Sequence, residues 1–178
     1  MNTDYVAFEG VDGSGKTSYI ESLTNHLETK QIDYKIVREP GGSKLGEGIR
    51  DLLLSHEYEV EPLTEALLFS ANRANLVEEV IRPSIEAGIK IISDRSAFSS
   101  VAYQGIGRGL GFEKIYNIND IAINGYWPEK VILLDIDPET VPKNLIIRMS
   151  SHMVDQAPVT FWPWTSTVTS GQDATCPA

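Results

Sequence analysis

Residues Gly10-Val11-Asp12-Gly13-Ser14-Gly15-Lys16-Thr17 match the pattern G-x-x-x-x-G-K-[ST], and no other segment constrains the fold as tightly. The pattern follows an apolar run, Tyr5-Val6-Ala7-Phe8-Glu9, that reads as a strand. It precedes a stretch in which Ile20, Leu23 and Leu27 share one helical face. A glycine-rich turn between a strand and a helix lets backbone N–H groups curl around phosphate oxygens, and the helix N-terminus adds partial positive charge. The segment predicts a phosphate cradle of Gly10, Val11, Asp12, Gly13, Ser14, Gly15, Lys16, Thr17 and Ser18. Lys16 is placed to reach the β- and γ-phosphates of a nucleotide, and the Thr17 hydroxyl to ligate Mg²⁺.

The chain beyond the cradle alternates short apolar runs with amphipathic stretches. Tyr34 to Val37, Lys90 to Asp94 and Val131 to Asp135 read as further strands. Leu45, Ile49, Leu52 and Leu53 fit helical spacing, as do Leu63, Ala66, Leu67, Ala74, Val77 and Ile81, with Pro62 at the start and Pro83 marking the end. Helical sequence also lies around 97–105 and 112–123. Strand–helix alternation predicts an α/β fold, a parallel sheet with helices on both faces.

Composition narrows the function. Fifteen Lys and Arg against twenty-five Asp and Glu leave a net charge of −10, which disfavours a general nucleic-acid binder. Cys176 is the only cysteine, so no intrachain disulfide or cysteine metal cage forms, and His26, His56 and His152 lack metal-ligand spacing. No apolar run approaches the roughly 18–20 residues of a membrane span, and Met1-Asn2-Thr3-Asp4 lacks signal-peptide character. A cytoplasmic setting is expected.

The GTPase base-reading motif N-K-x-D is missing at Asn117-Ile118-Asn119-Asp120. Arg38-Glu39-Pro40-Gly41-Gly42 closes the second strand and Asp94-Arg95 the third. Ligands of open α/β sheets bind at the carboxyl ends of strands, so both segments should converge on the cradle. Phe69 and Arg73 are four residues apart on one helix and share a face. A ring there can stack on a base while a guanidinium bonds its carbonyl oxygen; core packing for Phe69 and a solvated charge for Arg73 are the plainer alternatives. Ser99 and Tyr103 share a face by the same rule, with Gln104 adjacent.

Phe8-Glu9-Gly10-x-Asp12-Gly13-Ser14-Gly15-Lys16-Thr17, Arg38-Glu39-Pro40-Gly41-Gly42, Asp94-Arg95 and Ser99-x-x-Ala102-Tyr103-Gln104-Gly105 occur in that order. Together they resemble bacterial thymidylate kinases over roughly residues 3–140. The resemblance implies the P-loop nucleoside-monophosphate-kinase fold, Mg²⁺-ATP as donor, dTMP as acceptor and a homodimer. It assigns thymine contacts to Phe69 and Arg73, and the acceptor phosphate to Arg50 and Arg95. Asp12 is assigned the acceptor's 3′-hydroxyl, and Ser99, Tyr103 and Gln104 the base and sugar pocket. Glu39 is placed beside the acceptor and the metal shell. Asp94 either orients Mg²⁺ or accepts from Arg95. Lys16, Arg95 and Arg148 are the expected catalytic cations. The alternatives are another P-loop nucleoside or nucleotide kinase, or an inactive nucleotide-binding remnant.

After residue 140 the pattern changes. Residues 1–140 form the expected kinase domain and carry the whole net charge, whereas 141–178 hold only Lys143, Arg148, Asp155 and Asp173. Asp137-Pro138-Glu139 opens a helix, but Pro142 falls inside it, where it removes an N–H donor and collides with the preceding turn. The family's lid, with its catalytic arginines, and its last strand are not recognisable in 141–178. A shifted reading frame, or a divergent C-terminus, is the expectation there, with impaired turnover and an unpaired sheet edge as its consequences.

Overall fold

β1 (Tyr5–Glu9) runs through the middle of the sheet because almost all of it is apolar and buried. The computed structural model describes residues 4–55 and 57–136, and the expectations over 137–178, including Pro142, Lys143 and Arg148, lie outside them. β1 leads into α1 (Lys16–Thr29), then β2 (Tyr34–Arg38), α2 (Lys44–Leu54) and α3 (Pro62–Leu76). A π-helical segment (Val77–Ile81) joins α3 to α4 (Arg82–Glu86), which precedes β3 (Lys90–Asp94). Next come α5 (Ala97–Ser100), a second π-helical segment (Val101–Gly107), α6 (Phe112–Ile123) and β4 (Lys130–Leu133). Among the described residues the sheet has four strands in the order β2-β3-β1-β4, and every pairing is parallel.

Register divides the core between the two faces. Tyr5 pairs with Ile91 and Val6 with Ile92, so alternate residues face opposite sides. Tyr5, Val37 and Ile91 pack against Leu76, Val77, Val80 and Ile81. Phe8 and Ile92 pack against Ile20 of α1, with Leu23, Leu27 and Ile132 alongside. Helices therefore cover both faces, as the strand–helix alternation predicts.

One expectation needs correction. Pro83 does not end its helix: α4 carries the chain on to Glu86, with the proline in its first turn. The π-helical turn before it widens the backbone, which accommodates a residue lacking an N–H donor. Helical spacing alone does not mark the inward face. Leu63 and Leu67 of α3 are exposed, as are Leu45 and Leu52 of α2, while Glu65, Ser70, Asn72 and Arg73 of α3 are buried. The polar stripe of α3 packs inward because α6 and the loop after β2 supply partners for it.

Candidate functional site

Parallel strands place all their carboxyl ends on one edge, so the loops after β1, β2 and β3 gather there. They surround a cleft of about 810 Å³. Its wall takes Asp12, Gly13, Gly15, Lys16, Thr17 and Ser18 from the first loop, with Glu39, Pro40, Arg50, Leu54, Phe69 and Arg73 from the second side. Asp94, Arg95, Ser96, Ser99, Ser100, Tyr103 and Gln104 complete it. Of the expected site residues, Gly10, Val11 and Ser14 stand behind this wall, and Arg148 lies outside the described residues. Every other expected site residue reaches the cleft.

The first loop is shaped by backbone geometry. Gly10 has a φ of +144°, and a β-carbon there would sit 2.8 Å from the Leu134 carbonyl oxygen and from Ser14 Oγ, so a side chain is excluded. Lys16 is buried, and its Nζ donates to the carbonyls of Gly10 and Val11 at 3.0 Å each. Ser14 N donates to Val11 O at 3.2 Å, closing the turn. Among the described residues no side chain caps α1, so its first N–H groups are open to a ligand.

Burial and the neighbouring Arg95 lower the pKa of Lys16 below the ordinary lysine value of 10.5, with Asp94, Asp12 and Glu9 opposing them. A depressed lysine loses its proton earlier as pH rises, and only the charged form attracts phosphate. Nucleotide affinity is therefore expected to weaken with rising pH before 10.5 is reached. A titration of ATP binding from neutral pH upward, repeated on Lys16→Met, checks this. A flat wild-type profile over that range, or an unchanged slope in the variant, would contradict it.

Arg95 stands between the two halves of the cleft. Its Nη2 bonds Asp12 Oδ1 at 2.6 Å, its Nη1 donates to Ser99 Oγ at 3.1 Å, and its guanidinium lies 5.6 Å from the Tyr103 ring centre. Burial works against this charge, but Tyr103 and Asp12 outweigh it and hold Arg95 more basic than an ordinary arginine. Its backbone has φ +72°, a left-handed conformation that a non-glycine residue adopts at a cost of about 1–3 kcal/mol. Such strain persists where surrounding contacts over-determine the position. Asp12 is thus an ion-pair partner, not a free surface charge. Of the two alternatives for Asp94, the bond from Arg95 is not formed; Asp94 Oδ1 is buried with no hydrogen-bond partner among the described residues.

On the opposite side Arg73 is only 2 % exposed, which overturns the solvated alternative. Its Nε pairs with Glu39 Oε2 at 2.6 Å, Nη2 donates to Ser100 Oγ at 3.2 Å, and Nη1 donates to Asn119 Oδ1. Burial raises the Glu39 carboxyl above its usual range, and the guanidinium pulls it back. The loop carrying Glu39 is itself held by Asn72, whose Oδ1 accepts from Gly41 N at 2.9 Å. Arg50 Nη1 donates to Pro40 O at 2.8 Å. Phe69 is half-buried and lines the cleft, so core packing does not consume its ring.

Several contributors were missed from sequence. Pro40, Leu54, Ser96 and Ser100 line the cleft. Glu9 is 6 % exposed; its Oε1 accepts from Ser96 N at 2.8 Å and Ser96 Oγ at 2.7 Å, and its Oε2 from Ser99 Oγ at 2.6 Å. Its place as the last residue of β1 was the available signal. Leu54 and Ser100 carry none.

Known proteins resemble this chain in sequence and fold over most of its length. The profile of the family described as Thymidylate kinase matches residues 8–152, a span that includes Arg148. The chain is 43 % identical over 143 residues to the thymidylate kinase of Caldanaerobacter subterraneus subsp. tengcongensis, covering 80 % of this chain and 69 % of that protein. It is 46 % identical over 140 residues to that of Finegoldia magna, covering 78 % and 69 %. The crystal structure of thymidylate kinase from Ehrlichia chaffeensis superposes with a TM-score of 0.69 at 32 % identity, covering 83 % of this chain and 78 % of that one. With the family's profile matched over residues 8–152 and relatives at this identity and coverage, the chain belongs to the thymidylate kinase family.

Proposed function

We propose that the chain transfers the γ-phosphoryl group of ATP to the 5′-phosphate of dTMP, yielding dTDP and ADP. One observation carries this: the phosphate cradle at the exit of β1 and the Phe69–Arg73–Tyr103 recess open into the same cleft. An acceptor phosphate is already anionic at neutral pH, so no strong general base is needed. Catalysis then rests on alignment and on neutralising the charge of the transferred group.

In this reading Lys16 leaves the Gly10 and Val11 carbonyls for the β- and γ-phosphates. Arg95 and Arg50 hold the acceptor phosphate, Phe69 stacks on thymine and Arg73 bonds its carbonyl oxygen. Tyr103 crowds the sugar, and Asp12 serves the 3′-hydroxyl once Arg95 turns to phosphate. The residues also fit Mg²⁺. Asp94 offers a buried, unpartnered carboxylate oxygen in the wall shared with Thr17, and no cluster of three or more acidic, His or Cys ligands exists among the described residues. That set suits a small hard cation taken up with one carboxylate and the nucleotide phosphates. When bound, Mg²⁺ would supply charge neutralisation at the phosphate oxygens.

No helix among the described residues is long and apolar enough to cross a membrane, and a cytoplasmic setting belongs to this reading. So does a homodimer, supported by the exposed leucines Leu45, Leu52, Leu63 and Leu67 on the packed pair α2 and α3. The test is ADP production against dTMP, dUMP, CMP, AMP and thymidine, with the mass in solution measured on the same sample. Preference for dTMP is the expected result. Turnover with another acceptor, or ATP binding without turnover on any, would replace the reading with a different kinase or an inactive remnant.

A further inference from the structure

The chemistry of the cleft depends on how one buried amide is turned. Gln104 is 1 % exposed and lines the wall beside Arg73 and Tyr103. Its Nε2 donates to Glu65 Oε1 at 2.8 Å. Glu65 is itself buried and is clamped by Arg108, whose Nη2 lies 2.8 Å from Oε2 and whose Nε donates to Oε1 at 3.4 Å. An ionised carboxylate only accepts hydrogen bonds and a guanidinium only donates them. Turning the Gln104 amide over would press its carbonyl oxygen against the carboxylate, in a place where unpaired polar atoms are costly. The orientation is therefore locked. Among the described residues no donor takes Gln104 Oε1.

The placement is built by two elements. Glu65, Phe69 and Arg73 fall at i, i+4 and i+8 on α3; Phe69 and Arg73 line the cleft, and Glu65 meets it through Gln104. Gln104 belongs to the π-helical segment, and Arg108 follows it directly, its N–H bonded to Tyr103 O at 2.8 Å. Gln104 and Arg108, four residues apart, thus meet the same carboxylate.

We infer that Glu65, held by Arg108, is a positioning residue that leaves the Gln104 carbonyl as the acceptor offered to the base, and so selects a ring that presents an N–H there. A thymine-type imide presents one; the matching nitrogen of cytosine is itself an acceptor and meets a lone pair. This rests on the reading of the cleft as the dTMP site.

The test is binding of dTMP, dCMP and ATP, each titrated into the wild-type chain and into Glu65→Gln. A glutamine at 65 has both a donor and an acceptor, so the Gln104 amide can settle either way. The preference for dTMP over dCMP is expected to fall by about tenfold or more, with ATP affinity and melting midpoint close to wild type. The double variant Glu65→Gln, Gln104→Glu returns an obligatory acceptor to position 104 and should recover the preference. Full wild-type preference in Glu65→Gln would overturn the inference. So would a joint loss of dTMP binding, ATP binding and melting midpoint, which marks a purely structural carboxylate. A wild-type chain that binds dTMP no better than dCMP would instead remove the underlying reading of the site.

Discussion

Replacing Arg95 with alanine is expected to slow phosphoryl transfer by about 10³–10⁵-fold, the range that a single charge-neutralising arginine commands in P-loop enzymes. Arg95 is held in a left-handed backbone conformation by contacts to Asp12, Ser99 and Tyr103, at the junction of the cradle and the recess. Arg95→Lys keeps the charge but loses the planar fork that engages phosphate at two points, so it should fall between wild type and alanine. The ATP binding constant should change far less than the turnover number, because the proposed function has ATP held by Lys16 and the backbone groups of the cradle. Single-turnover kinetics with saturating ATP and dTMP measures this. A loss of less than tenfold would reduce Arg95 to the ion-pair partner of Asp12.

The second large effect concerns stability. Glu39→Ala leaves the guanidinium of Arg73, 2 % exposed, without its carboxylate. Removing one member of a buried ion pair typically costs about 3–5 kcal/mol, because the remaining charge stays desolvated. For a chain of this length that corresponds to a fall of about 6–20 °C in melting midpoint. Ser100 and Asn119 still accept from Arg73, which places the expected value toward the lower end of that range. The double variant Glu39→Ala, Arg73→Leu removes the orphaned charge and should recover part of the loss. A melting midpoint unchanged in Glu39→Ala would show that water reaches Arg73 and that the pair contributes little.

The glycine-rich turn between β1 and α1 was legible because its geometry is local. Phosphate is bound by consecutive backbone N–H groups, so glycines, a lysine and a threonine at fixed spacing carry the whole signal between one strand and one helix. The strands were legible for a related reason: Tyr5–Glu9 and Lys90–Asp94 are short, apolar and bounded by glycine or helix signals. Convergence of the loops after β1, β2 and β3 followed from parallel topology alone.

The inward face of α3 was not legible. Helical spacing groups Leu63 and Leu67 with Ala66, yet both leucines are exposed, and the helix buries Glu65, Asn72 and Arg73 alongside Ala66 and Leu76. Burying those groups is tolerable only when each finds a partner. The partners come from far away in sequence: Asn119 is 46 residues from Arg73, and Gln104 is 39 from Glu65. No local window contains both members of either pair.

Residue type and spacing along the chain determined the glycine-rich turn between β1 and α1 and that the sheet is parallel with helices on both sides. Tertiary structure alone decided the states of the charged groups lining the recess. It paired Arg95 with Asp12 across 83 residues, sank Arg73 against Glu39 and turned the amide of Gln104. The physical reason is reach. Backbone conformation and amphipathic period are set by neighbours within a few residues, whereas desolvation and ion pairing depend on whatever the fold brings within hydrogen-bond distance.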